Sequence, residues 1–300
     1  MPASAPGDEG RLEFPRKIWV GWSWLHPIHG LIHRRILMPF SAWYSRHFTV
    51  ADDGVMSLPF NLVLKWTTKV RVEEAVAMVA AREIGLPVPR LLAYGSPGGA
   101  LPGGTILMTR IPGAPLSEVR ESLSEDELET IRAELGAILA RMRAYRNPAG
   151  RRIASVAGTS LTGHLIPLPR FDPCPDEASF HAVFMKIGVG CRHLWEDPAA
   201  YERYLASAQM LLDMEHETVF THGDLRPHNI MVHEGHVSGI IDWECAGWMP
   251  EYWEYTNAAR VLSLDSWWAR FVMSLPGFWY PREMEAARAM SAITGWSWSW

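Results

Sequence analysis

The segment from Val219 to Asp242 reads VFTHGDLRPHNIMVHEGHVSGIID and constrains the chain more than any other stretch. Asp224 follows a His-Gly step, and Asn229 stands five positions further on. The apolar triplet Ile230, Met231, Val232 leads into the polar turn His233-Glu234-Gly235-His236. A second apolar run, Val237 to Ile241, ends on Asp242. The pattern predicts a loop, a strand, a tight turn and a returning strand. Two carboxylates and one amide are thereby carried on neighbouring backbone segments. Oxygen donors of this kind suit Mg²⁺ carrying phosphates, because that ion takes only one or two carboxylates and keeps its other positions for water and substrate. One carboxylate remains to handle the proton of a nucleophile.

The run His222-Gly223-Asp224-Leu225-Arg226-Pro227-His228-Asn229, followed by Ile240-Ile241-Asp242-Trp243-Glu244, resembles the catalytic and metal-binding segments of the aminoglycoside phosphotransferase and choline kinase family. The continuation Ala246-Gly247-Trp248-Met249-Pro250-Glu251-Tyr252-Trp253-Glu254-Tyr255 is similar to the branch of that family widespread in fungi. The resemblance implies an α+β, bilobal protein-kinase-like fold with a small β-rich lobe holding one helix and a larger, mostly helical lobe. It implies ATP-dependent transfer of the γ-phosphoryl group to a hydroxyl of a small molecule, with ATP and Mg²⁺ as cofactors. In protein kinases the corresponding Asp is the catalytic base and the Asn binds Mg²⁺. Carried over, Asp224 orients or deprotonates the acceptor hydroxyl, and Asn229 and Asp242 are metal ligands. Arg226 stands where many kinases carry a Lys that touches the transferred group. Simpler readings exist for each: a turn-forming Asp before Pro, a loop-closing Asn, a solvated Arg. His222 reads as a buried residue that holds the loop by hydrogen bonds.

Upstream, Asn61 to Trp66 has the apolar composition of a buried strand with one Lys inside it, and a lone buried Lys needs a partner. The resemblance makes Lys65 the residue that grips the α- and β-phosphates, with Glu74 on the following helix as its partner and Glu73 and Glu83 as runners-up. It also makes Thr109 and Ile111 the hinge, whose backbone would meet the adenine edge. Asp52 to Leu58, where a glycine-rich phosphate loop is expected, offers only Gly54. No GxxxxGK[ST] occurs anywhere, which disfavours a P-loop enzyme. The glycines between Gly95 and Gly104 read as a hairpin turn.

Ser124 to Arg143 is the clearest helix, with Ser124 and Glu127 forming a capping box and apolar residues at helical spacing. Asn147 to Asp176 is long, irregular and Pro/Gly/Ser-rich, and is marked as a candidate substrate-side loop. Helices are predicted over Glu177–Ile187 and Pro198–Met214, and helix again after Asp242. Glu251 and Glu254, just beyond the metal-binding motif, could face a cationic acceptor or solvent. The expected organisation is a tail with an aromatic, helical extension over 1–47, a nucleotide-binding lobe over 48–112 and a catalytic and substrate-binding lobe over 113–300.

A net charge of −5 gives no electrostatic reason to expect nucleic acid or an anionic membrane. Three cysteines without CxxC spacing fit neither a disulfide scaffold nor a zinc site. The start of the chain lacks the apolar core of a signal peptide, and no run is long enough to span a bilayer. A cytoplasmic protein is therefore expected. His26, His29 and His33 could share a helix face, but Pro27 and Gly30 interrupt it and no acid completes a metal set. Fifteen tryptophans, grouped toward both ends (Trp19, Trp22 and Trp24; Trp296, Trp298 and Trp300), form either core padding or a binding patch. The competing functional readings are a kinase-fold binding or scaffold module without phosphoryl transfer, and a protein kinase. The latter lacks an A-P-E element after Asp242.

Overall fold

The computed structural model describes residues 10–48, 54–97, 103–163, 170–260 and 263–294. The expected turn at Asp52-Asp53, most of the amino-terminal tail and the tryptophans at 296, 298 and 300 lie outside the described residues. In chain order the strands are β1 (Leu12–Glu13), β2 (Val55–Leu58), β3 (Leu62–Trp66), β4 (Leu91–Gly95), β5 (Thr105–Thr109), β6 (Ala114–Pro115), β7 (Tyr145–Arg146), β8 (Ala154–Ser155), β9 (Thr218–Thr221), β10 (Ile230–His233), β11 (His236–Ile240) and β12 (Gly247–Pro250). The α-helices are α1 (His26–Ile32), α2 (Met38–Phe48), α3 (Val72–Glu83), α4 (Leu116–Val119), α5 (Glu125–Arg143), α6 (Glu177–Gly190), α7 (Pro198–Gln209), α8 (Trp253–Arg260), α9 (Trp267–Met273) and α10 (Pro281–Ile293).

The chain divides into two compact units. One comprises Pro15–Leu123 and His228–Glu244. Its four-stranded sheet runs β2-β3-β5-β4, each neighbouring pair antiparallel. The β-branched and aliphatic residues of β3 and β5 suit these central positions, and Leu64 and Ile106 are fully buried. α3 places Ala75, Ala77, Met78 and Ala81 inward; small residues there let the helix sit close to β4. A second sheet, β11-β10-β6, is built by the returning hairpin, whose register sets Ile230 opposite Ile240.

The amino-terminal extension belongs to this unit, so the small lobe holds more than the one helix expected. α1 crosses β4 through a pair of glycines. A Cβ on Gly95 would lie 2.6 Å from Gly30 Cα, and one on Gly30 would lie 2.4 Å from the Ser96 carbonyl oxygen. Only residues without a side chain allow that approach. β2 is the sheet edge among the described residues, and α2 lies beside it, with Ser41 Oγ donating to the Ser57 carbonyl at 2.6 Å. A glycine-rich loop joining β2 to an outer strand is therefore not present among the described residues.

The other unit comprises Met1–Phe14, Ser124–Pro227 and Cys245–Trp300. α5 begins as the sequence predicts. Ser124 Oγ accepts from the Glu127 N–H, and the Glu127 carboxylate accepts from the Ser124 N–H at 2.8 Å. Its buried stripe Leu128, Ile131, Leu135, Leu139 and Met142 faces the core. After the metal-binding motif the chain is not α-helical at once. A single 3-10 turn, Trp243–Cys245, is followed by β12 before any α-helix; that strand is paired between β8 and β9, and Trp248 packs edge-on against Phe14 at 4.8 Å and beside Phe220. Much of the expected substrate-side loop is likewise pinned. Ile153 bridges to Cys174 and Leu161 to Phe171, and Ile153, Leu161 and Phe171 enter the same apolar cluster as Phe180, Tyr201 and Met290. Residues 164–169 of that loop lie outside the described residues.

Candidate active site

β3 carries Lys65 near the end of a run with alternating faces, and the side chain is buried. Its ammonium donates to Glu74 Oε1 at 2.7 Å and to Asp242 Oδ1 at 2.8 Å. Glu74 sits in the first turn of α3, where the helix dipole also favours a carboxylate. Burial by itself would push the Lys65 ammonium toward deprotonation, but Glu74 and Asp242 reverse this and hold it firmly charged. Glu74 is shifted the other way. Burial is the largest cause; the Lys65 cation pulls the value back and Asp242 pushes it up, for a net rise to about 7. The cluster is thus richer in carboxylate than in cation.

Three of its carboxylates, Glu74, Asp242 and Glu244, bring ligand oxygens within 4.8 Å of one another. One ammonium cannot balance three such groups, and hard oxygen donors at this spacing fit Mg²⁺. Sequence reasoning gave Glu244 no role, although it ends the Ile240–Glu244 run that carries the resemblance. The signal was a second acid two residues past Asp242. Asp242 itself has φ +65°, uncommon for any residue but glycine. Held strain of this kind clusters at functional sites. Two hydrogen bonds hold the turn: the Ile241 N–H donates to the Asn229 carbonyl at 3.0 Å, and Trp243 Nε1 donates to the Ile240 carbonyl at 3.0 Å. The first of them sets Asn229, almost wholly buried, next to the strand end that bears Asp242.

At the expected hinge, the Thr109 N–H is already committed to the Arg90 carbonyl at 3.0 Å. Ile111 lies against Gly239; a Cβ on that glycine would stand 3.0 Å from the Ile111 side chain.

In the other unit, β9 leads into the loop that bears Asp224. His222 is fully buried, and its Nδ1 accepts the Asp224 N–H at 3.2 Å, which puts the ring proton on Nε2. Gly223 has φ +82°, and a Cβ there would lie 2.5 Å from the Cys245 carbonyl oxygen, so glycine is required. Arg226 Nε lies 2.7 Å from Asp224 Oδ1, so this Arg is paired with the carboxylate and is not a freely solvated side chain.

Glu254 corrects an expectation. It is 3 % exposed and faces no acceptor; its carboxylate receives the N–H of His222 at 2.6 Å and that of Gly223 at 3.2 Å. Burial raises its pKa, with His222 and the two N–H groups pulling back. The residue opens α8, and that helix turns inward because Trp253, Tyr255 and Ala258 are buried beside it. Glu251 is half-buried. Its backbone carbonyl accepts from Arg143, and its side chain bonds Tyr280, raising that phenol together with the larger effect of burial. The three histidines of the extension each have a protein partner: His26 with the Val20 carbonyl, His29 with the Tyr94 carbonyl, His33 with Thr105 Oγ1.

A family model described as the phosphotransferase enzyme family matches residues 64–290. No curated protein matches the sequence. Among solved structures, the chain is similar to the aminoglycoside phosphotransferase APH(4)-Ia at 14 % identity and TM-score 0.55, covering 86 % of this chain and 89 % of that one. It is also similar to a streptomycin–ATP–APH(2")-IIa ternary complex at 12 % identity and TM-score 0.52, covering 84 % and 85 %. A GDP complex of an aminoglycoside 2'-phosphotransferase-IIIa mutant gives 12 % identity and TM-score 0.54, covering 86 % of each chain. At such identities the neighbours establish the fold, a protein-kinase-like α+β fold. The family match spans three-quarters of the sequence and includes Lys65, Glu74, Asp224, Asn229, Asp242 and Glu244. The chain belongs to the phosphotransferase enzyme family.

Proposed function

We propose that the protein transfers the γ-phosphoryl group of ATP to a hydroxyl of a small molecule. The observation that carries this reading is the buried Lys65 ammonium, 2.7 Å from Glu74 and 2.8 Å from Asp242, with Glu244 completing an acidic set. A structural ion pair would need one carboxylate. Carboxylate in excess of one fixed cation is what a divalent cation needs to be held beside a polyphosphate. Solved neighbours with ADP and hygromycin B, or with ATP and streptomycin, support nucleotide and small-molecule binding in this fold.

In this reading Lys65 holds the α- and β-phosphates, positioned by Glu74. Asp242 and Asn229, with Glu244 in reach of Asp242, would hold Mg²⁺, which supplies charge neutralisation at the phosphates when bound. The backbone groups of Thr109 and Ile111 take the adenine edge. Asp224 accepts the hydrogen bond of the acceptor hydroxyl and orients its oxygen; Arg226 holds the carboxylate in place. Positioning of this kind supplies most of phosphoryl-transfer catalysis.

ATP consumption by the purified protein, measured across aminoglycosides, amino alcohols and secondary metabolites, tests the reading. Asp224→Asn is expected to lower kcat about 10²- to 10⁴-fold with nucleotide binding kept. Unchanged turnover in that variant would refute the assignment. The β2 edge, which lacks a glycine-rich loop among the described residues, favours one second reading: a nucleotide-binding module without transfer. Binding of ATP without consumption on any acceptor would select it.

A further inference from the structure

The amino-terminal helices carry an outward face that phosphoryl transfer does not use. Between Pro15 and Phe48 the sequence has five Lys or Arg and no Asp or Glu, on a chain whose net charge is −5. The inner side of this segment is fixed to the sheet by Gly30 against Gly95, by His33 on Thr105 at 2.7 Å and by Ser41 on the Ser57 carbonyl. That attachment turns the opposite side outward, where Trp24, Ile28, Leu31, Ile36, Phe40 and Trp43 are all exposed, Trp24 to 64 % and Ile36 to 60 %.

The π turn His33–Leu37 between α1 and α2 contributes to this alignment. Extra residues in the turn slow the helix rotation, so Phe40 and Trp43 return near the line of Trp24 and Ile28. The Phe40 and Trp43 rings lie 5.8 Å apart. Of the seventeen large hydrophobic side chains exposed among the described residues, nine fall between Trp19 and Trp43. Single exposed hydrophobes need no explanation, but such a concentration marks a contact surface. Arg35 and Arg46 are exposed beside it.

The charge decides what the surface contacts. A second copy joined by two-fold symmetry would lay the same patch on itself. Arg35 and Arg46 would then meet the same two arginines of the other copy, with no acid between Pro15 and Phe48 to answer them. A bilayer interface accommodates both features: Trp, Phe and Ile sink to the headgroup boundary, and guanidinium groups meet anionic headgroups. We propose that the segment His26–Phe48 is an interfacial anchor that binds anionic lipid surfaces. The net charge of the whole chain, from which no membrane was expected, conceals this segregated basic stretch.

Co-sedimentation of the full chain with vesicles tests the proposal without reference to catalysis. The protein is expected to pellet with two-to-one phosphatidylcholine–phosphatidylserine vesicles, to remain in solution with phosphatidylcholine alone, and to be released by high salt. Arg35→Glu with Arg46→Glu should lower the partition coefficient at least about tenfold. Ile28→Asn, Ile36→Asn and Trp43→Ser together should do the same and keep the wild-type melting curve. If the triple variant melts early, the arginine pair alone carries the test. Wild-type protein that stays in the supernatant with the anionic vesicles overturns the proposal. So does a dimer in sedimentation equilibrium that Ile36→Asn dissociates, since the face would then belong to a second copy.

Discussion

Removing the Glu254 carboxylate gives the sharpest test of how the catalytic loop is held. Its oxygens receive two buried N–H groups, from His222 at 2.6 Å and Gly223 at 3.2 Å. Glu254→Ala leaves both without partners, at about 1–3 kcal/mol each when no water replaces the acceptor. Relief of the buried carboxylate's own desolvation offsets part of that, and water entering the vacated volume offsets more. A net loss of roughly 2–4 kcal/mol is expected. Gly223 has little room to adjust, given its left-handed backbone and the Cys245 carbonyl behind it. Because Asp224 follows directly, the account also expects kcat to fall while KM for ATP stays within a few-fold. Glu254→Gln keeps one acceptor oxygen and should lose less than half as much. Urea unfolding monitored by circular dichroism, with ATP consumption on the same samples, reads both effects. Wild-type urea midpoints with a raised acceptor KM would refute the reasoning and return Glu254 to a substrate-binding role.

Further outcomes follow from other residues. Glu244→Gln should raise the Mg²⁺ concentration for half-maximal turnover at least about tenfold, read from metal titrations of ATP consumption, without moving the melting temperature. Gly223→Ala should destabilise by at least about 2 kcal/mol in denaturant unfolding, since it meets both a left-handed φ and a carbonyl oxygen. His33 is lowered from 6.5 to about 4, first by burial, then by His29 and Arg34. Between those pH values the unfolded chain binds a proton that the folded chain refuses, so stability falls as pH falls from 6.5 toward 4. On the order of 3 kcal/mol is involved, and His33→Asn should flatten that part of a stability–pH curve. His216 is raised: burial opposes the shift, but Glu177 and Glu283 outweigh it. Its contribution is complete below the unfolded pKa and is lost as pH rises through the folded value, so Glu283→Gln should weaken stability on the acid side of neutrality more than on the alkaline side.

The reach of the sequence followed the range of the interactions. The α5 capping box, the β10–β11 hairpin and the α3 helix were legible because each is encoded within a few residues. The pairing of Lys65 with Asp242 spans 177 positions and was not foreseen: the family resemblance gave Lys65 the partner Glu74 and made Asp242 a metal ligand, and no local pattern couples a strand lysine to a distant turn. Glu254 was misread because a carboxylate at a helix start looks alike whether it faces solvent or caps a buried loop; only the tertiary course of β9 distinguishes them. β12 was missed for a similar reason: Gly247-Trp248-Met249-Pro250 has no period-two signal, and its strand identity comes from β8 and β9 on either side. The basic, aromatic amino-terminal segment was visible as composition. Its orientation depended on the Gly30–Gly95 crossing, which no spacing rule predicts.

The central claim is that Lys65, Asn229, Asp242 and Glu244 form a Mg-nucleotide site. Isothermal titration of the purified full chain with ATP in the presence and absence of Mg²⁺ tests it most directly. The account predicts saturable, Mg²⁺-dependent binding to wild-type protein and to Asp224→Asn, and no binding to a folded Asp242→Asn. Absence of binding to the wild type, or undiminished binding to Asp242→Asn, would contradict it.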